Sequence, residues 1–249
     1  MSFLDSISVA NMRESDRKTI ERYVPSLTLM YRAAMGVYRA FDWRGDVAIA
    51  VGSGNNGGDG YALACILKAN GIDSRIVALS EKLTADSAHF AAKARSLGVP
   101  VVPYSSGIFA GSDIIVDCLL GTGFHGAVRE PYASAIREIN AAGAYVISVD
   151  INSGMNGDTG EAELAVRSDL TVTIGFVKDG MLAEGAGMHM KRLAVADIGI
   201  VLDNEENKIA DEWQDEYAER GNIFRAPAYL DKNIIDTRGV EYSGESEFA

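Results

Sequence analysis

The chain is 249 residues long, enough for one α/β domain with a full core or for two small ones. Hydrophobic residues make up 47% and charged residues 23%, as in a globular protein, and the formal net charge of −12 excludes a broad nucleic-acid surface, which needs clustered Lys and Arg. No basic-then-apolar leader opens the sequence and no apolar run approaches the roughly 18 residues of a membrane span, so a cytoplasmic protein without membrane contact is expected.

Residues 10–23 are polar and helix-compatible, and Pro25-Ser26 closes them off and starts a second helix. In that helix Leu27, Met30, Ala34, Val37 and Phe41 recur at steps of three and four, an apolar stripe for packing on a sheet. Asn11 and Arg13 stand close enough to the chain start to reach a site or a partner subunit. Val47-Ala-Ile-Ala-Val51 reads as a short strand buried on both faces. Glycine then dominates, at Gly52, Gly54, Gly57, Gly58 and Gly60, before helical pattern resumes at Tyr61. Such a loop lets a ligand approach the backbone and delivers it to a helix N-terminus, where free N–H groups favour a phosphate.

The spacing Gly52-x-Gly54-x-x-Gly57 fits a dinucleotide fingerprint, and Glu81, just past Ile76-Val-Ala-Leu79, stands where a ribose-binding acid belongs. Asp59 near the helix start opposes a phosphate unless it caps the helix or holds a ribose hydroxyl. No Lys-Ser/Thr pair follows, which excludes a P-loop.

Strand and helix signals alternate from there. Arg75 to Leu79 is a strand, Thr84 an N-cap and Gly98 the stop of the helix between them. Val99 to Val102, Ile114 to Val116, Ala144 to Val149, Leu170 to Ile174 and Leu193 to Ala196 supply further strands, and Pro131 opens a helix that ends near Gly143. The pattern predicts a Rossmann-like, doubly wound, mostly parallel sheet with helices on both faces, a three-layer αβα domain over residues 1–202. From Asp203 the chain turns acidic and the strand signals stop, so 203–249 reads as a peripheral extension, docked in part through Trp213, Tyr217 and Phe224. Cys65 and Cys118 read as buried thiols rather than a disulfide framework.

In a parallel sheet the segments following the strands converge on one rim, where ligands bind. Four of them are unusual: the glycine loop, Asp117-Cys-Leu-Leu-Gly-Thr-Gly-Phe-His-Gly-Ala127, Asp150-Ile-Asn-Ser-Gly154 and Gly175-Phe-Val-Lys-Asp-Gly180. Carboxylates at the ends of two neighbouring strands are costly to hold together unless a cation or proton lies between them or their roles differ. Oxygen donors without clustered His or Cys suit a hard cation, while each carboxylate alone is also explained as a cap for loop amides. His125 is either a general base or plain loop polarity. Ser53 has no nucleophile-elbow pattern around it.

Taken in this order, Gly52-Ser-Gly-Asn-Asn-Gly-Gly-Asp-Gly60, Asp117-Cys-Leu-Leu-Gly-Thr-Gly123, Val149-Asp-Ile-Asn-Ser-Gly154 and Thr173-Ile-Gly-Phe-Val-Lys178 resemble the NAD(P)H-hydrate epimerases, the YjeF N-terminal domain family. The resemblance implies a usually dimeric protein that interconverts the R and S forms of hydrated NADH or NADPH. It implies a potassium ion held by Asn56, Asp117 and Ser153. It assigns the hydrated nucleotide to Asn55, Asn56, Gly57, Gly58, Asp59, Gly121, Thr122, Gly123, Phe124, His125, Gly126, Ala127 and Asp150. Asp150 is the acid/base residue on this reading, and Lys178 tunes it or binds a phosphate oxygen. Relatives usually carry Glu-Asn-Ala-Gly where this chain has Tyr31-Arg-Ala-Ala-Met-Gly36, a change expected to touch the site or the dimer contact, and many carry proline where Asn152 stands, a change expected to loosen the following loop. A separate NAD(P)H-hydrate dehydratase is expected as functional partner, since fused relatives carry that domain. Two other functions fit the pattern: a non-catalytic nucleotide-binding or scaffolding module of the same fold, and an NAD-dependent dehydrogenase using Glu81.

Overall fold

The computed structural model describes residues 6–202 and the two-residue strand Phe224–Arg225. In chain order the elements are β1 (Ser6–Ile7), α1 (Val9–Arg22), α2 (Ser26–Arg39), β2 (Val47–Val51), α3 (Asn55–Ala69), β3 (Ser74–Ala78), α4 (Ala85–Ser96), β4 (Val101–Pro103), β5 (Ile114–Cys118), α5 (Tyr132–Ala141), β6 (Tyr145–Val149), β7 (Leu170–Ile174), β8 (Val177–Lys178), β9 (Leu193–Ala196) and β10 (Phe224–Arg225). The main sheet runs β10-β9-β7-β6-β5-β2-β3-β4, parallel throughout except where β10 meets β9. β1 and β8 form a separate parallel pair.

The period of two along each strand sorts its side chains between two cores. Val47, Ile49 and Val51 face the core that holds α2, α3 and α4, whereas Ala48 and Ala50 face the core that holds α5. Because both faces are covered, every residue of β2, β5 and β7 is buried, the reason β2 reads as an unbroken apolar run in the sequence. The three-layer architecture is therefore the expected one. Thr84 caps α4 by accepting from the Ser87 N–H, and both cysteines are buried and free.

Several local expectations are corrected. α3 begins at Asn55, not Tyr61, so Gly57, Gly58 and Gly60 lie within its first turns. Glycine lowers helix propensity, yet here closeness outweighs it: a Cβ on Gly60 would stand 2.8 Å from Val51 Cγ1, and one on Gly57 2.3 Å from the Gly52 carbonyl. No α-helix joins β4 to β5 or β6 to β7; those crossovers are irregular. The strands do not end at Ala196 either, since Phe224 and Arg225 pair with Ala196 and Val195. The rest of the expected acidic extension, including Trp213 and Tyr217, lies outside the described residues. No helix among the described residues is long and apolar enough to cross a membrane.

The closest backbone approach occurs where β2 gives way to α3. Gly52 donates its N–H to the Cys118 carbonyl at 3.1 Å, and a Cβ on Gly52 would fall 1.9 Å from the Leu119 carbonyl oxygen. Gly52→Ala must push β2 and β5 apart and is expected to lower unfolding free energy by about 2 kcal/mol or more, read by urea titration.

Candidate active site

After β4 the chain returns across β2 to build the other half of the sheet, so the segments leaving the carboxyl ends of the paired strands β2 and β5 head toward opposite flanks. A cavity of about 750 Å³ opens there. Ligands bind in such folds at this reversal of strand order, and the volume lies within the range of small-molecule sites. Its walls come from α1 (Met12, Arg13, Asp16, Ile20), α2, the start of α3, the start of α4 with Thr84, the loop 119–125 after β5 and Asp150 after β6.

Asp117, near the end of β5, is wholly buried. Its carboxylate accepts from Ser148 Oγ at 2.9 Å, Ser153 N–H at 3.0 Å, Ser153 Oγ at 2.5 Å and Leu119 N–H at 3.2 Å. Burial raises its pKa and these donors pull it back down. Ser153 Oγ in turn accepts from the Leu120 N–H at 2.8 Å, and Asn56 Nδ2 donates to the Leu120 carbonyl at 3.1 Å. The three expected potassium ligands are therefore joined in one chain of hydrogen bonds, from Asp117 through Ser153 and the Leu120 backbone to Asn56. The remaining oxygen of Asn56, Oδ1, is buried and has no hydrogen-bond partner. An orphaned buried acceptor calls for a partner, and a cation seated beside it supplies one.

Asp150 follows β6 with φ of 68°, the one non-glycine residue with positive φ among those described. Left-handed backbone costs an aspartate roughly 1–2 kcal/mol, a strain that surrounding structure must hold in place. Two devices hold it. The Asp150 N–H donates to the Val172 carbonyl at 2.8 Å, and Lys178, wholly buried, donates to Asp150 Oδ1 at 2.5 Å. Lys178 gives its other two hydrogens to Thr173 Oγ1 and the Ile174 carbonyl, each at 2.9 Å, leaving none for a phosphate oxygen. The second Asp150 oxygen lies toward the cavity wall at Gly121.

Asn152 tightens the loop rather than loosening it. Wholly buried, it donates to the carbonyls of Val166 and His189 and lies within 3.0 Å of Ser168 Oγ, while its carbonyl accepts from Thr171 Oγ1 at 2.7 Å. This fastens the segment between Asp150 and Ser153 to β7. The Tyr31–Gly36 segment is buried along its whole length, with Gly36 packed on Ala196, and of its six residues Ala33 alone lines the cavity.

Of the expected nucleotide contacts, Asn55, Asn56, Asp59, Gly121, Thr122, Gly123, Phe124, His125 and Asp150 line the cavity. Gly57 and Gly58 instead pack against Gly52, Met30 and Ser87, and Gly126 and Ala127 are exposed beyond the rim. Glu81 is exposed and outside the lining, so it offers no ribose contact in this cavity. His125 is exposed at the edge.

Two carboxyl groups in the lining were not singled out in the sequence, Asp16 and Asp86. Asp16 interrupts what is otherwise the buried face of α1, Val9, Met12 and Thr19, and that interruption was the available signal. Burial, and then the charge of Asp150, raise its pKa to about 6. The same two causes hold Asp59 well above the usual carboxylate range. Perturbed carboxyl groups facing one cavity make it a candidate for proton transfer.

The family described as YjeF-related protein N-terminus matches residues 26–180. The chain belongs to it. It is 35% identical over 200 residues to an NAD(P)H-hydrate epimerase of Limosilactobacillus fermentum, covering 77% of this chain and 96% of that one. It is 35% identical to an NAD(P)H-hydrate epimerase of Rhodopirellula baltica, over 80% of this chain and 86% of the relative. A bifunctional NAD(P)H-hydrate repair enzyme of Pyrobaculum aerophilum is 37% identical over 79% of this chain, which spans only 42% of that longer protein. The solved yeast protein ynu0 has the same fold, with a TM-score of 0.66 at 21% identity over 78% of this chain and 89% of that one.

The raised pKa of Asp16 has a consequence for stability. A carboxyl whose folded pKa exceeds its unfolded value binds protons more readily when folded, so the protein loses stability as pH rises from about 4 through about 6. Asp16→Asn removes that penalty. Without ligand the variant is expected to melt at a higher temperature than wild type at pH 7.5, with the difference vanishing below about pH 4, as followed by differential scanning calorimetry.

Proposed function

We propose that the protein interconverts the R and S epimers of hydrated NADH and NADPH, a nicotinamide-nucleotide repair reaction. The observation that carries the reading is the Asp150 carboxylate, held in left-handed backbone by the buried Lys178 ammonium at the floor of a cavity of dinucleotide-binding type. Support comes from the epimerase relative whose length this chain matches almost entirely.

In the hydrate, the carbon bearing the hydroxyl adjoins the ring nitrogen. Once the hydroxyl is protonated, the nitrogen lone pair expels it as water and a cationic imine remains. Water adding to the opposite face returns the electron pair to nitrogen and inverts the carbon. Asp150 takes the proton of the incoming water, and its ion pair with Lys178 keeps it available as a base. The start of α3 and the loop 121–125 hold the rest of the nucleotide so that the ring presents one carbon to the carboxylate. Asn56, Asp117 and Ser153 would hold potassium, which when bound supplies positive charge beside the nucleotide and joins the α3 start to the β5 and β6 ends.

The product pair feeds a dehydratase that removes the added water, and the bifunctional repair relatives support coupling to a second repair activity. A homodimer and a cytoplasmic location belong to the same reading and rest on the family resemblance. A dehydrogenase is disfavoured because Glu81 lies outside the cavity.

Incubated with one purified epimer of hydrated NADH in potassium buffer, the protein is expected to bring the two epimers to equilibrium, followed by chromatography. Unchanged starting material contradicts the reading. Asn56→Ala, which removes the unpartnered oxygen, is expected to raise the potassium concentration for half-maximal activity about tenfold or more, measured by titration against a constant total ionic strength.

A further inference from the structure

Inversion by loss and return of water needs two proton-handling groups, one for each face of the ring. A hydroxyl leaves from one side while water arrives at the other, as in glycosidases that invert with a pair of carboxyl groups. Asp150 stands at the end of the sheet, fixed by Lys178, and serves one face. The other must come from a different wall.

α1 supplies it. Met12, Arg13 and Asp16 recur on one side of this helix, and all three line the cavity. The helix is fastened on several sides: Val9 N–H donates to Asp158 at 2.7 Å, Arg13 donates to the Thr122 carbonyl at 3.1 Å, and Thr19 Oγ1 accepts from the Val201 N–H at 2.9 Å. Asp16 is thus carried on a rigid element between two anchored turns. We propose that Asp16 is a second catalytic carboxyl of this site, the acid that protonates the departing hydroxyl, acting with Asp150 as a pair from two walls of the cavity.

The assignment rests on the epimerase reading above. In one direction the Asp16 carboxyl gives its proton to the hydroxyl, the carbon–oxygen bond breaks, the nitrogen lone pair forms the imine and water leaves. A second water then adds to the other face, its extra proton passes to Asp150, and the imine electrons return to nitrogen. The proton count closes with Asp16 ionised and Asp150 protonated, the state that runs the reaction in reverse. Exchange with solvent restores the start.

The surroundings suit a group that must both give and take a proton. Burial and then Asp150 from the β6 end favour the protonated form of Asp16, Lys178 from β8 opposes them, and Asp86 from α4 adds a smaller push toward protonation, while Asp59 from α3 lines the same cavity. Arg13 on its own helix is engaged by the Thr122 carbonyl, and His125 stands at the rim. Asp16 titrates at about 6, near working pH, whereas Asp59 is held protonated far more firmly and is the poorer choice for a reversible donor.

The test compares wild type, Asp16→Asn and Asp59→Asn on each purified epimer from about pH 5 to 9. Asp16→Asn is expected to lower kcat about a hundredfold or more with KM within threefold, and to abolish the limb of the rate profile near pH 6. Asp16→Glu, which keeps the carboxyl, is expected to recover part of the rate and the limb. The thermal stability of Asp16→Asn, at least that of wild type, separates loss of chemistry from loss of fold. Full activity in Asp16→Asn, or a pH profile unchanged from wild type, overturns the assignment while leaving the epimerase reading intact. An inactive wild type overturns that reading instead.

Discussion

The buried carboxylate of Asp117 is the interaction on which the rest of the site depends. A charge without solvent is costly, and here the cost is met by donors from three places, the β6 strand, the loop after β6 and the loop after β5. In satisfying Asp117, Ser148 and Ser153 tie the end of β5 to the end of β6, and Ser153 reaches on to the Leu120 backbone and so to Asn56 on α3. Residues 56, 117 and 153 are brought within one hydrogen-bond chain by this network. Asn152 closes it from the far side by fixing the same loop to β7. Asp150 sits between the two fastenings, which is how a strained backbone conformation persists at the mouth of a cavity.

The electrostatics of the cavity follow from the same plan. Lys178, the buried cation beneath it, gives its three hydrogens to Asp150 and two neutral oxygens, and its charge opposes without cancelling the effect of Asp150 on Asp16 and Asp59. Burial and the neighbouring Asp150 carboxylate hold Asp16 and Asp59 above the usual carboxylate range, so acid and base can be set apart without a histidine. On the proposed mechanism the Asp150 carboxylate supplies the negative charge that a cationic imine needs. Preorganised charge of this kind lowers the barrier because it is in place before the ring changes.

Much of this was legible in the sequence. The alternation of short β-branched runs with helical stretches gave the parallel sheet, and carboxylates at the carboxyl ends of two strands marked the rim where they meet. What escaped was governed by contacts distant in sequence. Gly57, Gly58 and Gly60 read as a loop because glycine disfavours helix, yet they are helical, since only hydrogen in place of a side chain lets α3 lie against Gly52, Met30 and Val51. Asn152 read as a lost proline, but its four polar neighbours come from residues 166, 168, 171 and 189, invisible to local patterning. Asp16 was not distinguished within the polar stretch 10–23, because nothing in the sequence says which side of α1 the cavity lies on.

The account rests on breaking and remaking a carbon–oxygen bond rather than opening the ring at its carbon–nitrogen bond, which would also scramble the centre. Epimerisation of a single hydrate epimer in water enriched in oxygen-18, with the product analysed by mass spectrometry at early times, separates the two directly. Every inverted molecule is expected to carry one solvent oxygen while unreacted substrate carries none. Inverted product that retains its original oxygen would contradict the mechanism assigned to this cavity.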